Sequence, residues 1–149
     1  MTKRVLAVAS AGGHLIQLER VLPAFEGMDV ALVTTVENAS AHPAIDRAYV
    51  VADPNRWTRT RVVLATFQLA RICLRERPHV VFSTGAAIGC IALILCRLMG
   101  ARTIWLDSIA NVLDCSLSAR IARPFCGLWL TQWPEVAERT GATYAGGVL

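Results

Sequence analysis

Apolar runs of strand length alternate with longer helix-like segments along the whole chain, and this alternation limits the possible folds more than any other feature. The predicted strands are Val5–Ser10, Val30–Thr35, Ala48–Ala52, Val80–Ser83, Thr103–Leu106 and Leu128–Thr131, and the predicted helices are His14–Phe25, Thr58–Arg75, Ala86–Met99, Ser116–Ala122 and Glu135–Arg139. Several strands are apolar throughout, as in parallel strands covered on both faces. The sequence therefore predicts a single α/β domain over residues 1–149, with a doubly wound, Rossmann-like parallel sheet.

The composition agrees with a large buried core and excludes a disordered or fibrous chain. Hydrophobic residues make up 54% of the 149 residues and charged residues 17%, whereas about a quarter is usual for charged residues. The mean hydropathy of +0.46 implies either a sheet buried on both faces or some apolar surface that meets lipid. The five cysteines form no C-x-x-C pair and lie at no metal-ligand spacing from a histidine, so neither a metal nor a cofactor is expected.

Ligands of such sheets bind beyond the carboxyl ends of the strands, where the strand order reverses. The turn Ser10-Ala11-Gly12-Gly13-His14 follows the first strand and opens the first helix. Its two glycines allow a tight turn, and the helix N-terminus offers N–H groups and a partial positive charge that suit phosphate. It lacks the third glycine of G-x-G-x-x-G and the Gly-Lys-Ser/Thr of a P-loop. A plain strand-to-helix turn remains an equal alternative.

The further candidate site residues follow three of the predicted strands. His14 is placed to act as a general base near neutral pH, or only to cap or pack beside its turn. Thr84 and Gly85 precede an apolar helix, where capping by Thr84 is the simpler interpretation. Asp107 and Ser108, with Asn111 close behind, put an acid, a hydroxyl and an amide after a strand, able to bind sugar hydroxyls or to close a loop.

A basic stretch covers the second predicted helix. Residues 56–77 contain six arginines and one acid, so their local charge of +5 exceeds the +4 of the whole chain. Arginines interleaved with apolar residues on an amphipathic helix are typical of an element at an anionic membrane surface. The predicted membrane-surface residues are Arg56, Trp57, Arg59, Arg61, Arg71 and Arg75. A solvated face over a core stripe is the alternative, and no nucleic-acid motif stands out.

The order of these motifs resembles that of a known family. The matching motifs are the Ser10–His14 turn, Ser83-Thr84-Gly85, Asp107-Ser108, Gln132-Trp133-Pro134 and Gly146-Gly147. The chain resembles the asparagine-linked glycosylation 14 family, including its bacterial PssD-type relatives in polysaccharide biosynthesis. The resemblance covers essentially the whole chain, although the family tends to have Glu-Ser followed by an Arg where this chain has Asp107, Ser108 and Asn111.

This resemblance implies the N-terminal, acceptor-side half of a MurG-like glycosyltransferase of the GT-B type. A separate donor-binding subunit, similar to the asparagine-linked glycosylation 13 family, would supply the other half, and the chain would be inactive without it. The pair would transfer a sugar from a UDP-sugar to a lipid-diphosphate-linked sugar, with inversion at the anomeric carbon. Attachment would be peripheral, at the cytoplasmic face of the inner (plasma) membrane.

The resemblance also implies roles for the candidate residues. His14 or Asp107 would deprotonate the attacking hydroxyl of the acceptor. The residues expected to contact the acceptor sugar or its diphosphate are Gly12, Gly13, Thr84, Gly85, Ser108 and Asn111. Two other functions remain open, a membrane-docking scaffold without chemistry and a stand-alone nucleotide-binding module. The latter is disfavoured because Thr34-Thr35, not an acid, ends the second strand.

Overall fold

One parallel sheet organises the residues described by the computed structural model, which are 1–37, 39, 42–54 and 58–148. Its strands are β1 (Arg4–Val8), β2 (Asp29–Thr34), β3 (Arg47–Val50), β4 (Val80–Ser83), β5 (Arg102–Leu106), β6 (Leu128–Thr131) and β7 (Thr143–Tyr144). They lie in the order β3-β2-β1-β4-β5-β6-β7, and every pair of neighbours is parallel. The predicted doubly wound sheet is confirmed, and its order reverses between β1 and β4.

Within the described ranges, five α-helices lie between the strands. They are α1 (Gly13–Val21), α2 (Arg59–Glu76), α3 (Ala86–Leu98), α4 (Leu117–Ala122) and α5 (Pro134–Thr140). The first helix ends earlier than predicted, because Leu22–Phe25 forms a 3₁₀ turn that contains Pro23, a residue without the N–H that an α-helix needs. The predicted strands and helices are all present, and the short strand β7 was not predicted.

The core lies on both faces of the sheet. On one face α1 and the 3₁₀ turn pack over alternate residues of the strands, including Leu32 and Phe82. On the other face α2, α3 and α4 pack around Leu69, Leu93 and the fully buried Trp105. Because strand side chains point alternately to two covered faces, the central strands are apolar throughout.

A glycine brings α3 unusually close to the end of β4. A Cβ atom on Gly89 would lie 1.9 Å from the Ser83 hydroxyl and 3.5 Å from the Trp105 ring. Only hydrogen at this position lets the helix sit directly on the strand. The turn between β4 and α3 is thereby fixed relative to the sheet.

Candidate active site at the carboxyl ends of β1 and β4

The reversal of strand order places the turn after β1 beside the turn after β4. Val8 of β1 is paired with Ser83 of β4, so the two chains leave the sheet side by side. In the first turn, the carbonyl of Gly12 accepts the N–H groups of Leu15 and Ile16 at 3.1 and 3.2 Å. This crevice is the ligand position expected for a doubly wound sheet.

The two glycines of the first turn border open space. Gly12 and Gly13 are exposed, and nothing lies within 4 Å of the position that a Cβ atom on either would take. Gly12 has a φ of +77°, a conformation that favours glycine. The N–H groups of Gly13 and His14 are in the first turn of α1 and have no partner within the helix. An anionic group can therefore approach the backbone of this turn to hydrogen-bonding distance.

His14 and Thr84 are joined by two hydrogen bonds, although they lie 70 positions apart in the sequence. The Thr84 hydroxyl donates to the main-chain oxygen of His14 at 2.6 Å. The ring nitrogen Nδ1 of His14 lies 2.9 Å from the main-chain oxygen of Thr84. Thr84 is fully buried and His14 is half-buried. The structure thus brings together two of the predicted site residues.

Gly85 lies directly against the His14 ring. A Cβ atom on Gly85 would be 2.5 Å from Cε1 and 2.6 Å from Nδ1 of that ring, and the φ of Gly85 is +135°. Gly85 also precedes the first residue of α3, where no side chain caps the helix. The simpler interpretation of Thr84 as the cap of α3 is therefore wrong, since its hydroxyl is bonded to His14 instead.

Asp107 lies at the end of β5 and is 1% exposed. Its Oδ1 accepts hydrogen bonds from the Asn111 amide and the Ser116 hydroxyl, both at 3.0 Å, and from the Trp105 indole at 3.4 Å. Its Oδ2 accepts the Ser116 main-chain N–H at 3.1 Å. Both carboxylate oxygens are therefore used to hold the loop that leads to α4.

The other predicted residues of this loop also take part in local bonds. The Ser108 hydroxyl accepts the main-chain N–H of Ala110 at 3.2 Å, as in a loop-closing turn. The Asn111 side chain donates to Asp107. Sequence analysis missed Ser116, whose hydroxyl also accepts the Ala119 N–H at 3.1 Å and so caps α4. Its place directly before the helix was the available signal.

One cysteine lies in the same loop. Cys115 is buried, and burial together with the nearby charge of Asp107 raises the pKa of its thiol to about 11. The thiol is therefore protonated at neutral pH and is a poor nucleophile. Among the described residues, no three His, Cys, Asp or Glu side chains converge in a way that would hold a metal ion.

The outer side of α2 combines cations with exposed apolar side chains. Val63, Phe67 and Leu74, spaced to fall on one side of the helix, are 69, 68 and 62% exposed; we call them the exposed α2 face. The predicted residues Arg59, Arg61, Arg71 and Arg75 are all exposed. Arg56 and Trp57 lie outside the described residues. Within the described part of the chain, no helix has the length and hydropathy needed to span a bilayer.

A cluster of charges lies at the opposite end of the sheet. The Arg47 guanidinium contacts Asp29 Oδ1 at 2.7 Å and Glu76 Oε2 at 2.8 Å, and the Tyr49 hydroxyl donates to Glu76. Burial disfavours the charged form of Glu76, but the hydrogen bonds from Arg47 and Tyr49 outweigh it and hold the pKa of this carboxyl below its usual range. This cluster joins the start of β3 to the end of α2.

Solved structures with the same architecture define the class of fold. MurG of Acinetobacter baumannii superimposes with a TM-score of 0.73 and 15% identity, over 98% of this chain and 45% of its own. UDP-N-acetylglucosamine 2-epimerase from Rickettsia bellii gives 0.74 and 16%, over 99% and 45%. The chain, which spans less than half of either enzyme, has the fold of the N-terminal half of a GT-B protein.

The family follows from sequence. The family described as "Oligosaccharide biosynthesis protein Alg14 like" matches residues 24–149, and the chain belongs to this family, as predicted. A relative from Yarrowia lipolytica, named UDP-N-acetylglucosamine transferase subunit ALG14, is 24% identical over 98% of this chain and 81% of its own length. A relative of the same name from Eremothecium gossypii is 33% identical over 47% of this chain and 34% of its own. The bacterial PssD-type assignment stays a prediction.

Proposed function

We propose that this chain is the acceptor-binding, membrane-associating subunit of a two-component glycosyltransferase. The pair transfers a sugar from a UDP-sugar to a lipid-diphosphate-linked sugar. The observation that carries this function is the His14 ring, held at the reversal of strand order beside the open glycine turn. Membership of the Alg14-like family, and two relatives named as transferase subunits, support it.

A second chain supplies the donor half of the site. The described residues correspond to one half of a GT-B fold, in which ligands lie between two halves. We therefore assign the UDP-sugar to a donor-binding subunit similar to the asparagine-linked glycosylation 13 family. The choice of donor sugar lies in that subunit, and this chain is inactive without it.

The glycine turn binds the diphosphate of the acceptor. Gly12 and Gly13 expose their backbone, and the N–H groups at the start of α1 point outward from the helix. The helix adds roughly half a positive charge at this end. Since no side chain stands between backbone and solvent, a phosphate can approach to hydrogen-bonding distance, as at other helix N-termini.

His14 is the general base, and Asp107 supports the site without touching the acceptor. Nε2 of His14 is the ring nitrogen that does not face Thr84. It takes the proton of the acceptor hydroxyl as that oxygen attacks the anomeric carbon. The bond from that carbon to UDP breaks on the opposite side, and UDP leaves with the electron pair, so the configuration inverts. Asp107 is the weaker candidate because its oxygens already accept four hydrogen bonds.

The exposed α2 face rests on an anionic membrane surface on the cytoplasmic side. Phe67 and its apolar neighbours enter the interface while the arginines pair with lipid phosphates. The first turn of α2 follows β3 and so begins at the same end of the sheet as His14. A lipid-linked acceptor can therefore reach the crevice without leaving the membrane.

The transferase proposal is tested on the tagged chain extracted in mild detergent together with the subunit that elutes with it. We expect a stoichiometric second protein of domain size by intact mass, and transfer from UDP-N-acetylglucosamine to a polyprenyl-diphosphate sugar. His14→Gln should lower turnover by roughly 10²–10⁴-fold, the usual contribution of a general base, whereas His42→Gln should not. Wild-type turnover of His14→Gln would contradict the assignment, and a lone chain that binds UDP-sugar would favour the nucleotide-binding module.

Membrane docking is tested separately with vesicles. Replacing Arg59, Arg61, Arg71 and Arg75 with glutamine should abolish binding to vesicles that contain anionic lipid, and Phe67→Ser should weaken it. Arg139→Gln, an exposed arginine on α5, serves as the control. Unchanged vesicle binding by the fourfold variant would exclude this surface as the dock. Loss of vesicle binding with full activity on a short-chain acceptor would separate docking from chemistry.

A further inference from the structure

The turn after β4 determines which nitrogen of His14 carries the proton. Nδ1 of His14 lies 2.9 Å from the main-chain oxygen of Thr84. A carbonyl oxygen can only accept a hydrogen bond, so this nitrogen must be the donor. In the neutral ring the hydrogen is then on Nδ1, and the lone pair is on Nε2.

The other two histidines of the chain have the opposite arrangement. Nδ1 of His42 accepts the main-chain N–H of Ala44 at 3.2 Å, and Nδ1 of His79 accepts that of Arg4 at 3.0 Å. Each of these nitrogens needs its lone pair, so the neutral rings are protonated on Nε2. His14 therefore differs from the two other histidines in its tautomer, and they serve as internal references.

Gly85 provides the space that this geometry requires. A methyl group on Gly85 would overlap Nδ1 and Cε1 of His14, at 2.6 and 2.5 Å. The ring would have to turn away from the Thr84 carbonyl, and the bond that selects the tautomer would be lost. The Thr84 hydroxyl makes a second hydrogen bond between the two turns, since it donates to the main-chain oxygen of His14 at 2.6 Å.

We propose that Thr84 and Gly85 are positioning residues for His14. The main-chain oxygen of Thr84 selects the Nδ1–H tautomer, and the bare Gly85 leaves room for the ring to keep that bond. Nε2 is thereby left with its lone pair. When Nε2 takes a proton, Nδ1–H remains bonded to the carbonyl, whose dipole stabilises the imidazolium. The consequence for sugar transfer rests on the proposed function, whereas the tautomer itself does not.

The tautomers are measured by NMR on the full chain labelled with ¹⁵N-histidine, with any co-purifying subunit bound. His14→Gln assigns the His14 signals among the three histidines. At a pH where the rings are neutral, we expect Nδ1–H for His14 and Nε2–H for His42 and His79. A predominantly Nε2–H ring at His14 in the wild-type chain would overturn the proposal without any variant.

Gly85→Ala tests the steric part of the proposal. We expect the Nε2–H form of His14 to become the major one and turnover of the complex to fall by roughly 10²-fold, as for a misplaced reacting group. Gly100→Ala is the control, because Gly100 also has a positive φ, of +87°, yet has nothing within 4 Å of a Cβ position. It shares the backbone strain but should change neither tautomer nor turnover. An unchanged tautomer in folded Gly85→Ala would contradict the proposal.

Thr84 offers a second test in case Gly85→Ala fails to fold. Thr84→Val removes the hydroxyl bond at nearly constant shape and should give a mixture of tautomers with lower turnover, whereas Thr84→Ser should restore both. If the His14 ring of the Thr84→Val variant stays fully in the Nδ1–H form, the hydrogen bond from the Thr84 hydroxyl has no role in selecting the tautomer. The outcomes also separate the two proposals. If wild-type His14 has the expected tautomer but the His14→Gln complex is fully active, only the base assignment is contradicted. If wild-type His14 has the opposite tautomer but the His14→Gln complex is inactive, only the positioning role is contradicted.

Discussion

Two polar clusters at the same end of the sheet use their hydrogen-bonding atoms in opposite ways. At β1 and β4, Nδ1 of His14 is bonded to the main-chain oxygen of Thr84, whereas Nε2 has no hydrogen-bond partner among the described residues. Beyond β5, Asp107 gives both carboxylate oxygens to its own loop, through Asn111 and Ser116. By their place after a strand the two residues were equal candidates for the base. The difference indicates how neighbouring donors set the role of each group. A carboxylate whose oxygens already accept bonds from its own loop holds that loop, whereas a ring nitrogen without such a bond remains able to accept a proton.

The largest expected effect is a loss of turnover without a loss of stability at His14. His14→Gln should lower kcat by roughly 10²–10⁴-fold. The thermal midpoint should stay within a few degrees of the wild-type value, because the ring is only half-buried and glutamine can still bond to Thr84. Assay and thermal denaturation of the same sample check both. A large drop in the midpoint would make His14 structural and remove the contrast with Asp107.

Asp107 should show the reverse pattern, with stability lost first. Asp107→Ala removes the acceptor of the half-buried Asn111 and Ser116 donors. It also leaves the buried Trp105 indole N–H without its acceptor. We expect a cost of about 3 kcal/mol in the free energy of unfolding. Asp107→Asn should cost less because its amide oxygen still accepts. Urea denaturation measures both. The control is Asp114→Ala, where an exposed carboxylate paired with the exposed Arg120 is expected to contribute at most about 1 kcal/mol.

If Asp107→Ala keeps its stability and loses activity, the carboxylate takes part in the chemistry and the comparison fails. If Asp107→Asn folds normally and keeps turnover, the charge of Asp107 is not needed and its hydrogen bonds suffice. These outcomes distinguish the role of the loop from that of the base.

Gly89 and Gly13 lie at the same end of the sheet but differ in the space around them. Gly89→Ala places a methyl group 1.9 Å from the Ser83 hydroxyl. We expect overpacking to lower the free energy of unfolding by about 1–3 kcal/mol. The better helix propensity of alanine should offset part of this loss. Gly13→Ala, with nothing within 4 Å, should leave the free energy of unfolding nearly unchanged. Chemical denaturation of the two variants measures the difference, and equal stabilities would show that α3 can move away from β4.

The positions of the main strands and of the turns that follow them could be predicted because they depend on local pattern, whereas the strand order is seen only in the structure. Strands buried on both faces, such as β1 and β4, give continuous apolar runs that differ from their neighbours. Strand β7 has only two residues, Thr143 and Tyr144, both exposed, so no pattern marks it. The place of His14 after β1 predicted where it lies, but not its bonds.

The contacts of His14 could not be predicted because they join distant parts of the chain. The bond from His14 to Thr84 spans 70 positions, and a main-chain oxygen leaves no mark in a sequence. The use of Gly85 as space for a ring is equally invisible, since a glycine before a helix has several explanations. Ser116 carried a local signal, its place as a helix cap. Loop closure by Asp107 and Ser108 was one of the two interpretations stated from sequence, and their bonds agree with it.

The smallest expected effect lies at the opposite end of the sheet and shows whether acid acts on the fold or on the site. Burial opposes the charge of Glu76, but the bonds from Arg47 and Tyr49 hold its pKa below the usual range in the folded chain. A carboxyl of this kind contributes stability above its unfolded pKa, and the contribution is lost as the pH falls through the folded pKa. Glu76→Gln should therefore lower the free energy of unfolding by about 1 kcal/mol at neutral pH. The loss should be smaller below about pH 4, where the carboxyl of the wild type is also neutral in the unfolded chain.

Urea denaturation at several pH values measures this effect, with the exposed Glu138→Gln as the control. Turnover of Glu76→Gln at neutral pH should equal that of the wild type, because the Arg47 cluster joins β3 to α2 far from His14. A variant that is equally stable at every pH would show that the bonds from Arg47 and Tyr49 contribute nothing net. A stable variant with reduced turnover would instead mean that α2 transmits changes from one end of the sheet to the other, and that His14 and Asp107 alone do not account for the site.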